Sequence, residues 1–176
     1  YSKAIEINPK ASLYYENIAS AFEAEQDVEK AADNYSKALE IKPDNARVLN
    51  ALGVIYYRKQ AYETAVDYYK KAVDLEKDNW IYQTNLAQSL RFLRRNEEAI
   101  VVLRTALDLH PDDYLNWNDL GVLLYEKGEA EAAVECYNKS IHLQPGDAVL
   151  YVNLALALNE VGKVTEAQNV ISDHRI

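Results

Sequence analysis

The sequence predicts an all-α fold, a solenoid of stacked antiparallel helix hairpins, and three observations predict it. The stretch Ala46–Asn79 returns when the sequence is shifted by 34 residues in either direction. Within it, two runs of residues keep helical spacing and are separated by a slip in phase. The register then holds along the 176-residue chain without insertion or deletion. A repeat of this length cannot bury its apolar face alone, so each unit packs on its neighbours and the core is a strip.

In Ala46–Asn79 the first run is Leu49, Leu52 and Tyr56, and the second is Ala65, Tyr69 and Ala72. The slip falls near Gln60 and marks a turn. Two helices approach closely only where side chains are small, so Gly53, Ala65 and Ala72 are expected at the crossings, with Leu52, Tyr56 and Tyr69 filling the space beside them. Taken in order, residues 1–11 read as the end of a second helix closed by Asn8-Pro9. Full units follow at 12–45, 46–79, 80–113 and 114–147, and an incomplete one at 148–176, all in a single array. The first full unit predicts helices near Leu13–Glu25 and Val28–Ile41. Asn45, Asn79, Asp113 and Asp147 precede first helices, where short polar side chains cap free amides. Glu29, Glu63, Glu97 and Glu131 fall in the first turn of second helices, where negative charge suits the helix dipole. Tyr1 lies in the middle of a helical pattern, so a longer parent protein is expected. Tyr1, Ile5, Ile171 and Ile176 are expected on uncapped end faces, open to homo-association or covered by the parent sequence.

The residue types at these spacings resemble the tetratricopeptide repeat (TPR) family. Counting from Ala46 as one, position eight is Ala19, Gly53, Ala87, Gly121 and Ala155. Position twenty is Ala31, Ala65, Ala99, Ala133 and Ala167, and position twenty-four is mostly tyrosine. Proline closes units at Pro9, Pro43, Pro111 and Pro145. The resemblance implies a right-handed superhelix whose first helices line a concave groove, and a function in protein–protein interaction.

Composition narrows the partners. The net charge is -9, which repels phosphate backbones, so nucleic acid is not expected. No stretch has the length of a membrane span. Cys136 is the single cysteine, which rules out an internal disulfide, leaves the compartment open with the cytoplasm favoured, and reads as a small helix residue. His110, His142 and His174 fall in different units without metal-ligand spacing, and the glycines are single, so no phosphate loop is present. No cofactor, metal or catalytic residue is expected, and the chain reads as no enzyme.

The resemblance points to position six of each first helix: Asn17, Ala51, Asn85, Asp119 and Asn153. This row resembles the asparagine ladder in the TPR superhelix of O-linked N-acetylglucosamine transferase. An amide side chain carries donors and an acceptor, so it can hold a peptide backbone whatever its sequence. Further groove candidates are Arg47, Asn50, Val54, Tyr57 and Arg58; Thr84, Gln88, Arg91 and Phe92; and Asn118, Val122, Tyr125 and Glu126. Arg47, Arg58 and Arg91 suit acidic groups on a peptide. The lysine that opens the carboxylate clamp of TPR co-chaperones is missing from every unit, so binding of chaperone tails by that clamp is not expected. The expected function is a scaffold or adaptor holding a peptide or helix. The alternatives are a substrate-recognition or regulatory segment of a larger enzyme, such as a glycosyltransferase, and a self-assembly module.

Overall fold

A computed structural model describes residues 9–173. Among them are ten helices: α1 (Pro9–Ala24), α2 (Val28–Ile41), α3 (Ala46–Arg58), α4 (Tyr62–Leu75), α5 (Trp80–Phe92), α6 (Asn96–Leu109), α7 (Tyr114–Glu126), α8 (Ala130–Leu143), α9 (Ala148–Glu160) and α10 (Val164–Asp173). The chain divides into two compact units, one reaching to Arg95 and the other starting at Asn96. In the first, α1 packs on α2, α3 on α4, and each hairpin on the helix that follows it. In the second, α7 packs on α8 and α9 on α10, with α6 against α7 and α8 against α9.

The hairpin turns share one backbone device. Gln26, Gln60, Arg94, Gly128 and Gly162, all at position fifteen, have φ between 59° and 86°. This left-handed conformation reverses the chain tightly, and glycine adopts it without strain. The two glycines therefore occupy the position that the phase slip near Gln60 marks.

Packing follows the small-against-large pattern. Ala65, Ala72 and Leu52 are wholly buried, and Tyr69 is 2% exposed. A β-carbon at Gly53 would lie 2.5 Å from Tyr69 Cε1, so the ring occupies the space that the absent side chain leaves. Gly121 and Tyr137 repeat this fit in the second unit, where a β-carbon would lie 2.7 Å from the ring. Tyr56 stays half-buried and stacks on Tyr68, with ring centroids 5.4 Å apart, beside the core of Ala31, Tyr35, Val48, Leu52 and Ile55.

Helix ends hold three departures from the sequence expectations. Helix α1 already includes Pro9, where the sequence pattern expects a first helix only near Leu13. Asn45, Asp113 and Asp147 accept backbone N–H bonds as caps. The Asn79 side chain makes no cap bond and instead donates to Glu76 Oε2 at 3.2 Å. The first-turn glutamates do more than face a dipole: Glu29 pairs with Lys59 and Glu97 with Lys127, each a lysine from the next repeat. Of the four residues expected on end faces, Tyr1, Ile5 and Ile176 lie outside the described residues.

Buried tyrosines give the fold a pH limit. Burial pushes the Tyr35 hydroxyl up to about 12, helped by its 2.6 Å hydrogen bond to Glu23. Burial also raises Tyr69 and Tyr137. The folded state thus favours the neutral phenol. This stability is complete below the ordinary value of 10.0 and is lost as pH rises from there toward about 12. Alkaline titration is expected to show tyrosinate absorbance for these rings appearing together with loss of helical circular dichroism. Tyrosinate absorbance complete by pH 10 with helices intact would contradict it.

Candidate functional site

The site builds from the first helices of each unit. In the first unit, Asn85 Nδ2 on α5 donates to Asn50 Oδ1 on α3 at 2.9 Å. In the second, Asn153 Nδ2 on α9 donates to Asn118 Oδ1 on α7 at 2.8 Å. Position six of one repeat therefore meets position five of the repeat before, and all four residues are half-buried. The bond orients the position-six amide. An amide offers two N–H donors and two acceptor lone pairs, so the bond to the neighbour uses only part of this capacity.

Two helical turns beyond Asn50 and Asn85 lie Tyr57 and Phe92, on the same stripe of α3 and α5. Tyr57 meets Phe92 edge-on at 5.5 Å, and Tyr62, from the start of α4, stacks on Phe92 at 4.8 Å. The Arg91 guanidinium lies 5.9 Å from the Phe92 ring. Arg58 is exposed as the last residue of α3, and Gln88 is half-buried on α5.

Arg47 is engaged within the fold. It is exposed, but its guanidinium forms an ion pair with Glu16, whose carboxylate also accepts from Ser12 at 3.1 Å and Asn45 at 2.8 Å. Glu16 is 5% exposed, and a buried carboxylate needs such partners. Asn17 stands exposed on α1, and Ala51, at the matching position of α3, offers no amide. Asp119 is half-buried on α7. The structure thus brings together Asn50 with Asn85, Asn118 with Asn153, and Tyr57 with Arg91 across Phe92. Sequence reasoning missed Tyr62, which belongs to a second helix, and the role of Glu16, whose burial leaves no mark on periodicity.

Away from this stripe, a cleft of about 400 Å³ in the second unit is lined by Pro111, Trp117, Asn138, Lys139, His142 and Leu143. Trp117 Nε1 donates to the Pro111 carbonyl at 2.7 Å, and the Lys139 ammonium lies 4.2 Å from the indole centroid. Cys136 is buried, and burial raises its thiol to about 11, so it stays protonated and unreactive near neutral pH. Among the described residues no histidine, cysteine and carboxylate group could hold a metal, and no helix is long and apolar enough to cross a membrane.

Stacked antiparallel hairpins with an amide-bearing first-helix face define a helical-repeat protein. Four family models agree: one described as TPR repeat at residues 19–60, and three described as tetratricopeptide repeat at 46–79, 84–148 and 136–169. The chain belongs to the tetratricopeptide repeat family. Its fold is similar to the crystal structure of MamA protein, at 25% identity and TM-score 0.90, covering 94% of this chain and 90% of that one. It is similar to YrrB, described as a TPR protein with an unusual peptide-binding site, at 24% identity and TM-score 0.86, over 98% and 89% of the two chains. It also resembles pilF of Pseudomonas aeruginosa, at 23% identity and TM-score 0.77, over 94% and 76%. A search of curated protein sequences gives no match.

Proposed function

We propose that this chain is a protein-interaction scaffold that holds an extended peptide segment on the first-helix face, with the paired asparagines bonding the peptide backbone. TPR proteins are typically interaction scaffolds without catalysis, and one of similar fold, YrrB, is described as having a peptide-binding site. The observation that carries the reading is the recurrence of the same amide pair, Asn50–Asn85 and Asn118–Asn153, in both units. A packing device needs no polar pair on a half-buried face, whereas a backbone-reading surface needs oriented amides at repeated intervals. The test titrates two peptides of unrelated sequence and equal charge into the chain and into its Asn85→Ala/Asn153→Ala variant. Backbone recognition predicts that both peptides weaken by a similar factor. A loss confined to one peptide, or no loss, contradicts it.

A second reading, homo-association, has its own observation. Val152, Leu156, Val164 and Ile171 surround an apolar recess of about 370 Å³ between α9 and α10, and Ile171 is 42% exposed. One repeat earlier, the corresponding residues of α8, Ala130 and Tyr137, are buried, and α9 packs on that helix. This reading expects light scattering to show mass rising with concentration, and Ile171→Glu to abolish the rise. A mass constant at the monomer value contradicts it.

A further inference from the structure

We infer that the three rings Tyr57, Tyr62 and Phe92 form a docking point for an aromatic side chain flanked by acidic residues. This rests on the reading that the first-helix face holds peptide. Phe92 stacks on Tyr62 with only 11° between ring planes and meets the edge of Tyr57, yet it remains 49% exposed. A ring held on one side and open on another gives an incoming ring an immobile surface, so the stack extends at little entropic cost. Tyr57 also meets Tyr62 edge-on at 5.5 Å, which fixes the cluster from within.

Charge selects what accompanies the ring. The chain carries a net charge of -9, yet Arg58 and Arg91 stand in helical positions immediately beside Tyr57 and Phe92. The Arg91 guanidinium already lies near the Phe92 ring. Guanidinium groups pair with carboxylates, so acidic residues on either side of the docked ring are favoured and basic ones are repelled.

Position fixes the spacing. Tyr57 and Phe92 each follow a rung asparagine by seven residues, a separation of about 10 Å along a helix. An extended peptide segment covers that distance in about three residues. The occupant is therefore an acidic peptide whose aromatic residue lies about three positions from the backbone held at Asn85. In the second unit the matching residues are Tyr125 and Glu160, so the glutamate that replaces the phenylalanine removes the docking point there.

The test measures fluorescence anisotropy of the full chain with a short labelled peptide of aspartate and serine built around one phenylalanine. Two control peptides carry alanine for phenylalanine, or lysine for aspartate. Both controls are expected to bind at least about tenfold more weakly, the scale of losing one anchoring contact. Phe92→Ala should weaken the phenylalanine peptide by a similar factor and leave the alanine peptide unchanged. Phe92→Leu, which keeps apolar volume for folding, and Arg58→Glu should each act in the same direction. Equal affinity for the phenylalanine and alanine peptides, or no effect of Phe92→Leu and Arg58→Glu in folded protein, would overturn the inference. If Asn85→Ala/Asn153→Ala weakens all peptides while phenylalanine brings no advantage, the docking point fails and the backbone-holding face stands. If phenylalanine is selected but the asparagine variant binds as well as wild type, the backbone-holding face fails.

Discussion

Replacing Tyr69 by alanine is expected to lower stability by about 3–5 kcal/mol, the range for removing a large buried aromatic side chain. That is a large share of what an ordinary domain has. Tyr69 is among the largest buried side chains of the described residues, and its ring fills the space left by the missing β-carbon of Gly53. The reverse change has its own cost. Gly53→Ala places a β-carbon 2.5 Å from a ring that cannot swing into solvent, and overpacking of this kind costs about 1–3 kcal/mol. The two effects share one contact, so they are not additive. Gly53→Ala combined with Tyr69→Leu should lose less stability than the sum of Gly53→Ala alone and Tyr69→Leu alone. Urea unfolding followed by circular dichroism measures all three. Strict additivity, or a Tyr69→Ala loss below about 1 kcal/mol, would show that the ring is not the filler of the hairpin.

Asn85→Ala and Asn153→Ala are each expected to weaken peptide binding to their own unit by about fivefold, taking the lost hydrogen bond as about 1 kcal/mol. These changes also leave Asn50 Oδ1 and Asn118 Oδ1 without their donors. Asn50→Ala and Asn118→Ala act differently. They touch the peptide less and release the orientation of the position-six amide, so a smaller loss of a fewfold each is expected. Calorimetric titration separates the cases. Equal losses for position-five and position-six variants would mean that the two amides hold peptide together.

The hairpins were legible because the repeat states them several times. Helix α2 occupies Val28–Ile41 as its apolar spacing predicts, and Asp27 caps it through the Lys30 amide. Pro9 misled because proline closes units elsewhere in the repeat, at Pro43, Pro111 and Pro145, whereas here it lies within α1. The amide face was legible as a row of asparagines, but its pairing was not. Periodicity gives the side of a helix a residue occupies, and it says nothing about which neighbour it meets in the next repeat. The offset of 35 residues between Asn50 and Asn85 comes from the packing of α3 on α5. Arg47 shows the same limit more sharply. In the sequence it is one arginine among several in an acidic chain, and its use is set by Glu16, buried 31 residues earlier. Reversing Arg47 would therefore disturb the fold as well as any ligand, so Arg58, exposed at the end of α3, makes the cleaner test of charge preference.

The most direct test of peptide holding follows the side-chain amide signals of the asparagines by nitrogen-15 NMR as two peptides of unrelated sequence are added. The Nδ2 signals of Asn85 and Asn153 are expected to shift with both peptides and to shift further than those of Asn34 and Asn169, which lie on second helices. Unmoved signals at Asn85 and Asn153, with shifts gathered instead around Trp117 and Lys139, would place binding in the cleft those two residues line and contradict the backbone-holding face.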